Sequence, residues 1–353
     1  MEQSGGLAPQ ANLIVYEAPN TDQGFVDAFA AAIDQNVAST VSCSWGEWEF
    51  IDTIAEGGAV TVNGASPTSV LQALNDLFMQ AAVQGQSLFT SSADDGAYTS
   101  VGTFLPPQFN TPLSVDDPAV QPYITATGGT TLAGTQTLPL PSGAPFSVTI
   151  ATEQAWGWDY LLGFCKAAGL EPLACGIFPV GSGGGVSFEF PLPPYQFGIP
   201  GLAVTQPGQE LIDTSQTPPL VLAQLPAGFP GRNVPDIAVN ADPQTGYTIY
   251  YTSNVSGFEI LQGFGGTSFA APQLNGVTAL FDEAVGHRLG LLNYPLYNLL
   301  SSGSAYSGTN APLRDITRGD NWFYRGKPGY DQATGVGVPN VANLLEALEK
   351  PIF

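Results

Sequence analysis

The chain has 353 residues, 30 of them acidic against 8 basic, for a formal net charge of −22. Eight scattered basic residues cannot build a phosphate-binding stripe, which excludes nucleic acid and an anionic membrane surface as partners. Only 11% of residues are charged, under the roughly 25% usual for soluble domains, while 44% are apolar, enough for a large core and against disorder.

Residues 12–16 are a short apolar strand candidate, followed by the turn-rich Ala18-Pro19-Asn20-Thr21-Asp22. Phe25, Ala28, Phe29, Ala32 and Ile33 then fall on one helical face, and residues 37–44 read as a second strand. Val70, Leu71, Leu74, Leu77, Phe78 and Ala81 mark another amphipathic helix, with Gly85 placed to end it. A third strand at 87–92 runs into Ala93-Asp94-Asp95-Gly96. This alternation predicts an α/β domain with a mostly parallel sheet. Ligands in such sheets bind beyond the carboxyl ends of the strands, where Asp94 falls.

From about 103 to 231 the sequence reads as short strands, prolines and glycines without a helical period. Helices resume over 267–285 and 340–349, the second with Val341, Leu344, Leu345 and Leu348 on one face. No linker divides the chain, so a single domain over 1–353 is expected. Cys165 and Cys175 are placed to pair in an oxidising compartment, whereas Cys43 reads as a small core residue. No apolar run approaches the roughly 18 residues of a membrane helix. The first residues lack the basic and apolar regions of an export signal.

The sharpest motif is Gly265-Gly266-Thr267-Ser268-Phe269-Ala270-Ala271-Pro272. A serine in the first helical turn sits among free N–H groups and the positive dipole end, both suited to an oxyanion. The alternative is that Thr267 or Ser268 only caps the helix. A serine nucleophile needs a base. The one imidazole, His287, follows Ser268, so a triad ordered Asp, His, Ser is excluded and the base is expected to be a carboxylate.

In these motifs the chain resembles the sedolisin family, the serine-carboxyl peptidases, and is kumamolisin-like within it. Val15-Tyr16-Glu17-Ala18-Pro19-Asn20-Thr21-Asp22, Ser42-Cys43-Ser44-Trp45-Gly46 and Ala93-Asp94-Asp95-Gly96 follow the family's order. So do Gly128-Gly129-Thr130, Gly183-Gly184-Gly185-Val186-Ser187, Pro191-Leu192-Pro193, Arg232-Asn233-Val234-Pro235-Asp236 and Asn240-Ala241-Asp242-Pro243. The resemblance implies a subtilisin-like fold, a twisted sheet with helices on both faces, and hydrolysis of polypeptide substrates at acidic pH. Ser268 is then the nucleophile and Asp94 the oxyanion donor. It also implies one Ca2+ ion in a C-terminal loop, with side chains from Asp315 and Asp331 and carbonyls from Ile316, Lys327 and Gly329; outside the family pattern the two aspartates read as turn residues. The family usually has Gly where Lys327 stands, and a shorter connection across 158–180.

The family's catalytic Glu and Asp lie one helical turn apart just before an Ala-Pro turn, here Leu7-Ala8-Pro9. Counting back, Met1 falls immediately after that Asp, and Glu2 is two residues off the required face. The chain as written is therefore expected to be an N-terminally truncated peptidase domain without its propeptide, inactive alone. The alternative is a catalytically dead homologue acting as a binding or structural module. An acidic carbohydrate-binding protein explains the composition but not the ordered motifs. Secretion is expected from the family, and Asn254-Val255-Ser256 is a glycosylation acceptor in a host that modifies exported proteins.

Overall fold

The central sheet runs Thr40–Cys43, Ser87–Ser91, Thr125–Thr131, Ile237–Asn240, with every neighbouring pair parallel. Gln154–Ala155 adds a short antiparallel pairing to Thr130 and Thr131. The computed structural model describes residues 1–52, 60–62, 68–255 and 257–349.

Successive side chains of a strand point to opposite faces, and both faces here are covered. Leu88 packs with Val26, Ile33, Leu74 and Phe78 from the helices Asp22–Gln35 and Val70–Gln84. Phe89, one residue on, packs with Ala271, Leu274 and Phe281 of the helix Thr267–Val285. The expected sandwich of a mostly parallel sheet between two helical layers is observed.

The helix ends follow their caps. Thr21 and Ser69 accept from Gly24 N and Gln72 N, and Asn340 accepts from Asn343 N to start Val341–Leu348. Asn36 and Gly85 close their helices in the left-handed conformation.

Three expectations need correction. Residues 12–16 are not a strand: the edge strand Thr40–Cys43 pairs only with Ser87–Ser91, and Leu13, Ile14 and Val15 stay 48%, 47% and 54% exposed. The stretch 103–231 does contain a helix, Leu162–Ala168, too short to show a period and closed by left-handed Gly169. A further helix, Asn293–Ser301, was not expected; its Pro295 sits in the first turn, where the missing N–H has no intrahelical acceptor to lose. Cys165 and Cys175 form a disulfide with Cα atoms 5.8 Å apart. Cys43 is half-buried and packs against the core cluster around Leu88 and Phe78. The serine of the glycosylation acceptor lies outside the described residues.

Candidate active site

Ser268 is the second residue of the helix Thr267–Val285, so its amide belongs to the first turn, which has no intrahelical acceptor. Gly266 precedes the helix at φ +101°, a conformation L side chains rarely adopt, and a Cβ there would lie 2.5 Å from Asp94 Oδ2. Glycine is what lets this carboxyl reach the helix end.

Asp94 occupies that gap. Its Oδ1 accepts from Thr267 N at 2.7 Å and Thr267 Oγ1 at 2.8 Å, while the same hydroxyl also reaches Ala93 O at 3.1 Å. Ala93 sits at φ +81°, an uncommon conformation for a residue with a Cβ, and turns the strand end toward the helix. The triple-glycine segment braces this turn: Gly183 N donates to Ala93 O at 2.7 Å and Gly181 N to Asp94 O at 2.8 Å. Burial raises the Asp94 carboxyl above its usual range, against the two Thr267 bonds that favour its charged form. Asp95 beside it is pushed up to about 6 by burial and by Asp94.

Ser44 Oγ donates to Ser268 O at 3.0 Å, which joins the Ser42-Cys43-Ser44-Trp45-Gly46 motif to the same turn. Ser268 is half-buried, and its hydroxyl makes no hydrogen bond among the described residues. His287 lies beyond the far end of this 19-residue helix, about 28 Å away at 1.5 Å per residue, with Nδ1 on Arg288 O. It is not the base. The N-terminal helix Glu2–Leu7 rests on the Ser268 helix one turn further along, with Ser4 Oγ donating to Pro272 O at 2.7 Å.

The C-terminal loop gathers Asp315 and Asp331 around one turn. Gly329 N donates to Asp315 Oδ2 at 3.0 Å and Lys327 N to Asp331 Oδ2 at 3.1 Å. Asp331 Oδ1 takes Ala333 N, Thr334 N and Thr334 Oγ1, whereas Asp315 Oδ1 is buried without a partner. An orphaned carboxylate oxygen beside a second acid suits a hard cation, so the residues present fit calcium. Burial raises both carboxyls, Asp331 to about 6. Lys327 is not in the left-handed region and its ammonium is turned away onto Gly201 O at 2.9 Å. The loop accommodates the departure from glycine.

Two clusters went unread in the sequence. Fully buried Arg232 makes a bidentate bond to Asp236, at 2.9 and 2.8 Å, within the Arg232-Asn233-Val234-Pro235-Asp236 motif. Glu47, Glu49, Asp52, Asp116 and Asp117 gather beside Gly46; the acidic pair Asp116-Asp117 inside an apolar stretch was the visible signal.

Residues 1–294 match the Subtilase family. The chain is 30% identical to kumamolisin of Bacillus sp. (strain MN-32), over 99% of this chain and 50% of that protein. It is 28% identical to sedolisin of Pseudomonas sp. (strain 101), over 97% of this chain and 46% of that one. The chain thus spans about half the length of the curated relatives it matches. Among solved structures it superimposes on Pseudomonas sedolisin, a serine-carboxyl proteinase complexed with two molecules of pseudo-iodotyrostatin, with a TM-score of 0.66 and 27% identity. That match covers 99% of this chain and 77% of the other.

Proposed function

Because the chain belongs to the subtilase family, in its sedolisin and kumamolisin branch of serine-carboxyl peptidases, we propose that residues 1–353 form the peptidase domain of an acid-acting endopeptidase. Ser268 is its nucleophile and Asp94 its oxyanion donor. The observation that carries the reading is the Asp94 clamp: Oδ1 is taken up by Thr267, leaving Oδ2 at the start of the Ser268 helix.

Ser268 Oγ attacks the scissile carbonyl carbon, and the carbonyl oxygen gathers negative charge. Protonated Asp94 donates from Oδ2 to that oxygen, and the free amides of the first helical turn add their dipoles. The proton released by Ser268 goes to a carboxylate and later to the leaving amine; water then hydrolyses the acyl-enzyme. By the resemblance the carboxylate is a Glu held by an Asp, a pair that precedes Leu7-Ala8-Pro9 in the family. No described residue hydrogen-bonds the Ser268 hydroxyl in its place.

That last observation favours a second reading, a binding module, for this stretch taken alone. Hydrolysis of a denatured protein between pH 3 and 6 separates the two. A protein carrying that Glu and Asp is expected to cleave and its Ser268→Ala form not to; equal cleavage by both forms, or none by either, leaves the module. A site without that Glu and Asp is expected to retain only the residual rate of an oxyanion site without its base, about 10³–10⁴ over water.

Asp94→Asn supplies a donor that needs no protonation. Its kcat/KM is expected to fall by about 10-fold at the acid optimum, while the decline toward neutral pH becomes shallower. A pH profile parallel to that of the natural enzyme rules Asp94 out as the donor.

The calcium site is proposed as one ion held by the Asp315 and Asp331 carboxylates with the carbonyls of Ile316, Lys327 and Gly329, a structural role that ties the loop together. At saturating calcium the thermal midpoint is expected to stand about 5–10 °C above that in chelator. Asp331→Asn should abolish the difference. A midpoint unmoved by chelator removes the ion from the loop. The Cys165–Cys175 disulfide supports an extracellular, oxidising location. Among the described residues no helix is long and apolar enough to cross a membrane.

A further inference from the structure

Glu47–Trp48 and Asp116–Asp117 pair as a short antiparallel ladder that sets Glu47 opposite Asp117 and Trp48 opposite Asp116. Like charges directly opposite one another destabilise a ladder. Asp52 comes within hydrogen-bonding reach of both Asp117 and Glu47. Asp116 is 3% exposed, Asp117 1% and Glu49 0%. Neutral donors serve the cluster among the described residues: Gln121 Nε2 reaches Asp117 Oδ1 at 2.7 Å, and Ser187 Oγ and Phe188 N reach Glu49 at 2.5 and 3.0 Å. Asp117 Oδ2 is buried with no donor, and the Asp116 carboxyl makes no hydrogen bond among the described residues.

The groups that face these acids are themselves acids. Asp117 and Glu47 face Asp52; Asp117, Asp95, Glu47 and Asp94 face Asp116; Glu189 and Asp117 face Glu49; Asp22 faces Glu47. The remaining titratable neighbour is the Cys43 thiol, which burial and then Asp116 push up to about 11. Among the described residues no Lys, Arg or His is named among the charges that shift these carboxyls. Touching carboxyls in a dry site cannot all ionise, and a proton between two of them turns repulsion into a hydrogen bond.

The cluster abuts the active-site wall. A Cβ on Gly46 would lie 2.1 Å from Asp116 Oδ2 and 2.4 Å from Asp117 O, so the ladder presses on the backbone that follows Ser44. Ser44 in turn holds Ser268 O.

We propose that Glu47, Glu49, Asp52, Asp116 and Asp117 form a proton-held latch that closes the Glu47–Asp117 ladder against Gly46 in acid and releases the Ser44–Gly46 wall when its protons leave. Burial, the largest cause throughout, raises all five carboxyls, Glu49 to about 8. Groups whose folded values stand above their unfolded ones contribute full stability below the unfolded value, roughly pH 4, and lose it as pH rises through the folded values. The latch therefore opens over about pH 7–10, the span of the raised Asp117, Glu49 and Asp52 carboxyls. It goes beyond the peptidase reading and needs no turnover, so it is measurable in the Ser268→Ala protein.

Hydrogen exchange at pH 5 and pH 8, corrected for intrinsic rates, tests it. Protection in segments 44–52 and 114–121 is expected to fall more than 10-fold at the higher pH, with strand Thr125–Thr131 unchanged. Asp52→Asn and Asp117→Asn, which hydrogen-bond without ionising, should each keep that protection within about 3-fold. Equal protection of the natural chain at both pH values overturns the latch, as does a loss shared by the central strand. Either amide variant opening with pH as the natural chain does also overturns it; should one fail to fold, the other and the natural chain decide.

Discussion

Replacing Ser268 with Ala is expected to cut kcat/KM for an acid-pH peptide substrate by about 10⁴–10⁶-fold in the whole enzyme, the range for losing the nucleophile of a coupled catalytic unit. The thermal midpoint should move by less than about 2 °C, because a half-buried hydroxyl without a hydrogen bond leaves no stranded partner. The neighbouring Thr267 is the contrast: its amide and hydroxyl hold Asp94 and Ala93, so its loss disturbs the oxyanion side without removing the nucleophile. Retention of more than a hundredth of the rate in Ser268→Ala, checked by active-site titration against contaminating protease, sinks the nucleophile assignment.

Asp236→Ala is expected to be the most damaging single change to stability. Arg232 and Asp236 are both fully buried, and apart from Arg232 Nε their polar atoms have partners. The guanidinium also donates to Tyr195 Oη at 2.9 Å and to the carbonyls of Ala119 and Ile124. Asp236 accepts from Tyr297 Oη at 2.9 Å and Ala126 N at 2.8 Å. Burial works against the Arg232 charge, and Asp236 together with Tyr195 and Tyr297 more than offsets it. Deleting the carboxylate strands a cation in the interior, which costs about 3–5 kcal/mol out of the 5–15 typical of a folded domain. A fall of about 4–7 °C in thermal midpoint follows. The double change Arg232→Met with Asp236→Leu removes the stranded charge and should recover much of the loss. A single variant within 3 °C of the natural chain refutes the assignment.

What could be read from the sequence divides along a physical line. The helices at 70–84, 267–285 and 341–348 were legible because local signals define them: an apolar period, a capping Ser69 or Asn340, a closing Gly85. Residues 12–16 carry the same kind of apolar signal, yet a strand exists only where a neighbour supplies hydrogen bonds, and among the described residues none does. The motifs around Ser268 and Asp94 were legible; the contact between Asp94 and Thr267 spans 173 positions and no local pattern encodes it. The Glu47–Asp117 pairing was hidden for the same reason, since its strands are distant in sequence and each is two residues long.

The cysteine arrangement has a practical consequence. Of the three cysteines, two are consumed by the Cys165–Cys175 bridge, which leaves Cys43 as the single thiol, at the end of the edge strand and three residues before Gly46. A thiol-directed fluorophore or spin label therefore lands on one atom of the natural protein, without engineering, and reports from the wall of the cleft. The half-burial and raised ionisation of Cys43 make its labelling slow while the wall is closed, so the reaction rate is itself a gauge of opening.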